Sequence, residues 1–289
     1  MNAKFIDINQ LLKNKTPFWH FILPGFLINK IKKLVHEDEI NATIESLKDL
    51  KGLEFNRAVL NRLKIQMQVN FIEHISKTGP LTIVSNHPLG GVDGMALLEA
   101  VSKQRSDVQV LTNDLLCQIK GFGSVFIPVN SFGKSSLQHI RQMEAAFKES
   151  GVVIIFPAGM VSRSFPEGIV DLPWKKSCIT QSVKYQRQIL PVYIEGSNSP
   201  RFYKLARWRK RLKIPINLEM FLLPDEMFRS AQRNVKMYFG NPVSYQTWTK
   251  DYTPEFWAQR LHEYVYSKEI KAGLSFEQYL HEINRKDSN

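Results

Sequence analysis

Between residues 78 and 245 the chain alternates short strand-forming runs with stretches of helical character, and this alternation constrains the fold more than any other feature. The strand-forming runs are Leu81–Ser85, Val108–Thr112, Val125–Val129, Val152–Phe156 and Ile189–Ile194. The helical stretches between them are Met95–Ser102, Ser135–Lys148 and Lys175–Tyr185. Such repetition is typical of a mostly parallel sheet flanked by helices. We therefore predict an α/β fold, with two further strands at Ile216–Phe221 and Val235–Phe239.

Both ends of the chain are predicted to be helical extensions of this core. Apolar residues recur at helical spacing in the N-terminal part. Near the C-terminus, Thr253 and Ser275 each supply a capping hydroxyl ahead of helix-forming residues, which is the pattern of a helix start. We expect a helical region over residues 1–77, the α/β core over 78–245, and C-terminal helices that pack on the core over 246–289.

Basic residues outnumber acidic residues by 39 to 27, which gives a formal net charge of +12. A protein this basic is attracted to nucleic acid, anionic lipid or an acidic carrier protein, and charge alone does not choose among them. Cys117 and Cys178 lack the spacing of metal ligands, so we predict two reduced thiols in a cytoplasmic protein and no metal site. We also expect no signal peptide and no membrane-spanning helix, because no apolar run is long enough.

The strand-forming run that ends at Ser85 leads directly into Asn86-His87-Pro88-Leu89-Gly90-Gly91-Val92-Asp93. Ligands of α/β folds bind beyond the carboxyl ends of parallel strands, so His87 and Asp93 are well placed for chemistry. A neutral imidazole can remove the proton of an attacking alcohol, and a carboxylate on its other nitrogen stabilises the imidazolium that forms. The two glycines permit the tight turn that brings the carboxylate to the ring. The alternative is a simple turn in which Asp93 caps the following helix.

Polar residues also follow two other strand candidates. The run that ends at Phe156 leads into Pro157-Ala158-Gly159-Met160-Val161-Ser162-Arg163. Here Ser162 could donate a hydrogen bond, and Arg163 could bind a phosphate or a carboxylate. The run that ends at Ile194 leads into Glu195-Gly196-Ser197-Asn198. Each turn alone is compatible with an ordinary strand exit, but several polar exits in one parallel-sheet pattern favour a shared site.

Four blocks in this order make the chain similar to the glycerophospholipid acyltransferase family, whose type member is 1-acylglycerol-3-phosphate acyltransferase. The blocks are Asn86-His87 with Asp93, Gly123–Ile127, Phe156-Pro157-Ala158-Gly159 and Pro191-Val192. The resemblance covers roughly residues 78 to 245.

This resemblance implies a glycerolipid acyltransferase-like α/β fold and a specific chemistry. The expected reaction is O-acyl transfer from a thioester of coenzyme A or of acyl carrier protein to the hydroxyl of a lysolipid. The resemblance implies His87 as general base and Asp93 as its partner, with no metal and no cofactor. The residues that it implies in acceptor binding are Phe126, Asn130, Phe156, Pro157, Gly159, Ser162 and Arg163.

The spacing of the His-Asp block departs from the family pattern. Five residues separate His87 from Asp93, where the family usually has four. An extra residue displaces Asp93 unless the Gly90-Gly91 turn absorbs it. The paired geometry therefore depends on this turn.

The blocks expected to bind the acceptor phosphate depart as well. After Phe156-Pro157 the family usually has Glu and then Gly-Thr-Arg, whereas Ala158 and Val161 occupy those places here. The arginine that usually ends the second block is missing near Val129, which leaves Arg163 as the main cation. The His-Pro-Leu-Gly-Gly variant resembles the branch associated with bacterial aminolipids. We therefore hypothesise an N-(3-hydroxyacyl) amino acid as acceptor, with lysophosphatidic acid as the alternative.

Two aromatic and basic segments are predicted to contact an anionic membrane or a carrier protein. The first contains Phe18, Trp19 and Phe21 ahead of several lysines, which fits a helix in the headgroup plane unless these residues pack on the core. The second, Arg201–Lys213, holds seven basic residues and no acidic one. Its expected contact residues are Arg207, Trp208, Arg209, Lys210 and Arg211.

These features predict a peripheral protein on the cytoplasmic side of the cell membrane. Its expected partners are an anionic lipid surface, a thioester donor and a lysolipid acceptor, and we expect no binding of nucleic acid. The competing hypothesis from another class is a non-catalytic protein that binds nucleic acid or anionic membranes. In that hypothesis His87 and Asp93 form only a turn.

Overall fold

The protein is built around one large twisted sheet, seen in a computed structural model that describes residues 5–15, 24–117, 119–129, 137–214, 217–229 and 234–287. The strands within these ranges are β1 (Gln66–Asn70), β2 (Leu81–Ser85), β3 (Val108–Thr112), β4 (Phe126–Pro128), β5 (Val152–Ile155), β6 (Arg163–Phe165), β7 (Gly168–Val170), β8 (Gln188–Glu195) and β9 (Asn234–Phe239).

The main sheet has seven strands in the order β1-β9-β8-β2-β5-β3-β4. Strands β8, β2, β5, β3 and β4 are parallel to one another. Strand β9 pairs antiparallel with β8, and β1 pairs parallel with β9. Strands β6 and β7 form a separate antiparallel hairpin. The mostly parallel α/β architecture predicted from the sequence is confirmed.

The central strands are buried on both faces of the sheet. In β2, Leu81 and Ile83 belong to the apolar cluster on one face, whereas Val84 belongs to the cluster on the other. Strand β5 alternates in the same way, with Ile154 on the first face and Val153 on the second. A strand covered by helices on both sides buries the side chains of both its faces, which explains why these strands are mostly apolar in the sequence.

Helices cover both faces and form the two ends of the chain. Within the described ranges they are α1 (Ile8–Lys15), α2 (Gly25–Leu34), α3 (Glu37–Ser46), α4 (Gly52–Arg62), α5 (Gly91–Ser102), α6 (Asp114–Cys117), α7 (Leu137–Lys148), α8 (Ser177–Lys184), α9 (Pro200–Arg211), α10 (Leu223–Arg229), α11 (Pro254–Tyr266), α12 (Lys268–Lys271) and α13 (Phe276–Asp287). The capping hydroxyl of Thr253 accepts a hydrogen bond from the backbone of Phe256, as the sequence pattern predicts. None of the described helices has the length and apolar character of a bilayer span.

The strand predicted at Ile216–Phe221 is wrong. Its first residue lies outside the described ranges, and Leu218–Leu222 forms a 3₁₀ helix. This turn buries the carboxylate of Glu219 between the guanidinium groups of Arg163 and Arg209. The apolar residues around Glu219 are typical of a strand, but they do not reveal the ion pairs that Glu219 forms with distant residues.

One further feature of the sheet departs from the sequence pattern. Strand β1 lies inside the N-terminal segment that was expected to be helical, so this segment contributes an edge strand to the core sheet. Elements α2, α9 and the Leu218–Leu222 turn meet in a small apolar cluster that also contains Val161. This cluster lies beside the polar strand exits described next.

Candidate active site

Strands β2, β5 and β8 are neighbours in the sheet, and their carboxyl ends lie at the same edge. The side chain of Asn86 connects the ends of β2 and β8. Its amide N–H donates to the carbonyl of Ile194 at 2.9 Å, and its amide oxygen accepts from the backbone N–H of Ile194 at 2.7 Å. Asn198, which follows β8, donates to the carbonyl of Pro88 at 3.0 Å. The polar exits that were expected to share a site therefore do meet.

His87 and Asp93 form a hydrogen-bonded pair at this edge. The distance between His87 Nδ1 and Asp93 Oδ2 is 3.0 Å. An ionised carboxylate only accepts hydrogen bonds, so Nδ1 carries the ring proton and Nε2 keeps its lone pair. The His87 side chain is 19% exposed, whereas that of Asp93 is 0% exposed. The arrangement can take a proton from a hydroxyl group at Nε2 and stabilise the imidazolium that results.

The glycine turn absorbs the extra residue between His87 and Asp93. The backbone N–H groups of Leu89 and Gly90 both donate to Asp93 Oδ2, at 2.8 and 3.0 Å. Gly90 has φ 74° and ψ −129°, a conformation that is essentially restricted to glycine. A Cβ at this position would also meet the side chain of Leu223 at 3.2 Å. The five-residue spacing is thus compatible with a paired histidine and aspartate.

Asp93 serves the helix and the histidine at the same time. It is the third residue of α5, and its carboxylate caps that helix by accepting a hydrogen bond from the Gly90 N–H. Asp93 therefore caps the helix and pairs with His87 at the same time. Burial raises the pKa of Asp93, while the hydrogen bond and charge of His87 lower it. Among the described residues, Asp93 Oδ1 has no hydrogen-bond partner. The proton on His87 is therefore an important source of stabilisation for this carboxylate.

Phe156 connects the histidine to an apolar cavity. Its ring stacks on His87 with 4.2 Å between the ring centroids and an interplanar angle of 27°. Phe156, Pro157 and Gly159 contribute to the wall of a cavity of about 220 Å³, whose other lining residues are mainly aliphatic and aromatic. The Lys175 ammonium also lines it and lies against Gly159, where an added Cβ would be 2.9 Å from Nζ. An apolar space beside a cation suits an amphiphile with an anionic head group.

Ser162 points toward a carboxylate that sequence reasoning missed. Its side chain is fully buried, and its hydroxyl donates to Asp171 Oδ1 at 2.6 Å. The backbone N–H of His87 donates to the same oxygen at 3.2 Å. Asp171 follows the β6–β7 hairpin, whose pairing is not evident from the sequence. The one available signal was an aspartate between the apolar residues Val170 and Leu172.

Arg163 is already engaged by protein groups. It donates to the carbonyl of Val161 at 2.7 Å and forms an ion pair with Glu219 at 3.1 Å. Arg209 pairs with the same carboxylate at 2.7 Å, so two guanidinium groups share one negative charge. Acceptor binding by Arg163 stays a prediction, and an incoming carboxylate would compete with Glu219 for this cation.

Of the two acceptor residues expected in and just after the second block, the structure describes only Phe126. Phe126 is buried in the main core and stacks on Phe122 with 4.1 Å between ring centroids. This contact gives Phe126 a packing role, and acceptor binding by its side chain stays a prediction. Asn130 lies outside the described residues.

The segment expected to contact a membrane or carrier forms helix α9 and the turn after it. Trp208 is 63% exposed and Leu212, one helical turn later, is 57% exposed. Arg209 is held in its ion pair with Glu219, and Arg207 donates to the hydroxyl of Ser164 at 3.3 Å. Lys210 and Arg211 are exposed. The other predicted contact residues, Phe18, Trp19 and Phe21, lie outside the described ranges.

Comparison with known proteins identifies the class of enzyme. Residues 10–252 match the family described as Acyltransferase, and the chain belongs to this family. Within the described residues, no group of three or more His, Cys, Asp or Glu side chains could hold a metal ion. The chain is therefore an acyltransferase whose candidate site is built around a histidine–aspartate pair, and the alternative of a non-catalytic binding protein is not supported.

Two curated relatives indicate the branch. The chain is 38% identical over 262 residues to the lyso-glycine lipid O-acyltransferase of Bacteroides thetaiotaomicron, which covers 90% of this chain and 96% of that protein. It is 37% identical over 262 residues to the lyso-glycine lipid O-acyltransferase of Phocaeicola vulgatus, which covers 90% of this chain and 94% of that protein.

A crystal structure of the 1-acyl-sn-glycerophosphate acyltransferase of Thermotoga maritima matches 92% of this chain and 98% of that chain, with 19% identity and a TM-score of 0.45.

Proposed function

We propose that this acyltransferase moves a fatty acyl group from a thioester to the hydroxyl of a lysolipid, with His87 as general base and Asp93 as its partner. The observation that carries the proposal is the 3.0 Å contact between His87 Nδ1 and a fully buried Asp93 carboxylate, at the carboxyl edge of a parallel sheet. This contact leaves Nε2 as the basic nitrogen.

The proposed transfer proceeds in two proton movements. As the acceptor oxygen attacks the thioester carbonyl, its proton passes to Nε2 of His87 and an O–C bond forms. The tetrahedral intermediate then collapses, the C–S bond breaks, and the leaving thiolate takes the proton back from the imidazolium. Asp93 stabilises the imidazolium between the two steps, because its buried carboxylate is within hydrogen-bond distance of the ring.

We propose that the acceptor is an N-(3-hydroxyacyl) amino acid, with glycine as the favoured head group. The two curated relatives, named lyso-glycine lipid O-acyltransferases, support this choice. The turn after β5 also supports it, because Ala158 and Val161 are buried apolar residues and bring no cation for a phosphate. Lysophosphatidic acid, with its doubly charged phosphate, is the alternative acceptor.

We infer that Lys175 binds the acceptor carboxylate. Its ammonium lies against Gly159 at the wall of the apolar cavity, and no described residue forms an ion pair with it. The neighbouring cation Arg163 is already paired with Glu219. The lysine ammonium is a compact cation with three N–H donors, so it can form a charge-assisted hydrogen bond with a single carboxylate.

The direct test of the proposed function is an assay of the purified protein with an acyl thioester and each acceptor in turn, with the ester product identified by mass spectrometry. We expect robust turnover with N-(3-hydroxyacyl)glycine, and His87→Ala should abolish it. The matched control is His281→Ala, which replaces an exposed histidine on α13 and should leave turnover unchanged. Turnover of lysophosphatidic acid alone would refute the aminolipid acceptor. Coenzyme A and carrier-protein thioesters, compared in the same assay, identify the donor.

We further propose that helix α9 docks on an anionic membrane. Trp208 and Leu212 are exposed on one face of the helix, and Lys204 and Arg211 lie on the same face at helical spacing. Among the described residues, neither of these two cations forms an ion pair. Tryptophan between cations is typical of a helix at the membrane interface, where each cation near an anionic surface contributes about 1 kcal/mol. The cytoplasmic side stays a prediction.

Vesicle co-sedimentation tests this surface. Wild-type protein should bind vesicles of phosphatidylcholine with phosphatidylglycerol better than phosphatidylcholine alone, and Trp208→Ser should weaken the binding. The matched control is Val183→Ser, at a residue of α8 that is also exposed. If Trp208→Ser binds vesicles normally but loses activity only with a carrier-protein thioester, this surface docks the carrier and the membrane proposal is wrong.

A further inference from the structure

The buried side chain of Asp171 holds the backbone of His87 through hydrogen bonds. Asp171 Oδ1 accepts the backbone N–H of His87 at 3.2 Å and the hydroxyl of Ser162 at 2.6 Å. The backbone N–H of Ser162 donates to the carbonyl of His87 at 2.9 Å. Both polar groups of the His87 backbone are therefore held by the same pair of residues.

Two aromatic residues hold Asp171 itself in place. The indole Nε1 of Trp174 donates to Asp171 Oδ2 at 3.0 Å. The backbone N–H of Asp171 donates to the hydroxyl of Tyr266, the last residue of α11, at 2.9 Å. Asp171 is only 3% exposed, and each of its carboxylate oxygens accepts a hydrogen bond. The position of His87 is thus linked to the C-terminal helices through one residue.

The charge of Asp171 is unusual for its surroundings. No cationic side chain in the described part of the chain forms an ion pair with it, and all three of its carboxylate hydrogen bonds come from neutral donors. A buried carboxyl group that is not paired with a cation depends on its hydrogen bonds, so these three donors also fix the position of Asp171.

We propose that Asp171 is a positioning residue for acyl transfer, which fixes the backbone of His87 so that the ring stays between Asp93 and Phe156. This inference rests on the proposed role of His87. Asp171 touches neither the reacting atoms nor the apolar cavity lining. Its removal should therefore reduce the rate of the chemical step and leave substrate binding almost intact.

The test compares Asp171→Asn and Asp171→Ala by kcat and by KM for both substrates, with rates normalised to the folded fraction measured by circular dichroism. Asn can still accept the His87 N–H and the Ser162 hydroxyl, but its amide would face the Trp174 donor. We expect Asp171→Asn to lower kcat by about 10- to 100-fold, the usual effect of a small misplacement. Asp171→Ala should lower kcat further, while both KM values stay within about twofold of wild type, because Asp171 only positions His87.

A control separates positioning from general support of the fold. Leu261→Ala opens a cavity in the buried face of α11 but changes no hydrogen bond of Asp171, so it should lower Tm and leave kcat per folded molecule unchanged. If Asp171→Asn fails to fold, Ser162→Ala removes one donor to Asp171 and should still lower kcat with unchanged KM.

The proposal is overturned if Asp171→Asn keeps wild-type kcat per folded molecule, if the loss appears in KM alone, or if Leu261→Ala shows the same loss of kcat. His87→Ala distinguishes this failure from failure of the proposed function. An active His87→Ala removes the basis of both proposals. An inactive His87→Ala with a fully active Asp171→Asn refutes only the positioning role.

Discussion

Replacing Glu219 with glutamine should destabilise the protein strongly, although the two side chains have the same shape. Glu219 is 0% exposed and pairs with Arg163 and Arg209, whose side chains are 11% and 17% exposed. Three hydrogen bonds join the carboxylate to the two guanidinium groups, at 3.1, 2.7 and 3.1 Å. Glutamine keeps one accepting oxygen, but its amide group would face a guanidinium donor, and two buried cations would lose their counter-charge.

The magnitude follows from the cost of leaving buried charges uncompensated. Breaking a buried ion pair by removing one partner costs about 3–5 kcal/mol. For a protein of this size, that loss lowers Tm by on the order of 10 °C. We would measure the free energy of unfolding by urea denaturation followed by circular dichroism, and Tm by thermal scans of the same samples.

A surface ion pair provides the control for this measurement. Glu255 pairs with Lys176 at 2.8 Å, and both side chains are more than half exposed. Glu255→Gln should cause no measurable change, since solvent screens such pairs. A loss of less than about 1 kcal/mol for Glu219→Gln, as small as a surface pair gives, would show that the buried pairs around Arg163 are not formed as described.

Three further predictions concern the site and the membrane surface. Asp93→Asn should lower kcat by about 10³- to 10⁴-fold. The Tm of Asp93→Asn relative to that of wild type should increase as the pH rises, because burial raises the pKa of Asp93 and the wild-type protein loses stability as the pH rises from the unfolded-state pKa to the raised folded-state pKa. A Tm difference that shrinks with rising pH would contradict this. Lys175→Ala should raise KM for the N-(3-hydroxyacyl)glycine acceptor about tenfold or more, while Lys176→Ala, the exposed neighbour, should not. Binding of wild-type protein to vesicles with phosphatidylglycerol should weaken steeply between low and physiological salt, and Trp208→Ser should bind more weakly than wild type at each salt concentration. Binding that does not depend on salt would exclude an electrostatic contact.

The sequence predicted those parts of the fold that depend on local pattern. Strands β2 and β3 have the predicted boundaries, because each is a short run rich in apolar and β-branched residues with turn residues before it. The antiparallel sense of β9 and the inclusion of β1 in the sheet were not predicted. Both concern the β1-β9-β8 side of the sheet, where the pairing depends on tertiary contacts rather than on the composition of each strand.

The candidate site was likewise predictable only where it depends on local sequence pattern. His87 and Asp93 could be found because they follow a strand in a short segment with two glycines. Asp171 could not be found, since the β6–β7 hairpin brings it to His87 from 84 positions further along the chain. The engagement of Arg163 by Glu219 was hidden for the same reason, as the partners are 56 positions apart. Contacts over such distances require the folded chain.

The most direct test of the central claim is the initial rate of acyl transfer from a thioester to N-(3-hydroxyacyl)glycine by wild-type protein and by His87→Ala, at equal folded concentration. If His87 is the general base, the rate should fall by about 10²- to 10⁴-fold, the usual contribution of acid–base catalysis. Vesicle binding of the variant should remain at the wild-type level, because the proposed membrane contact is made by exposed residues of α9 and not by His87. A His87→Ala rate within about tenfold of wild type, below the lower end of that contribution, would contradict the account.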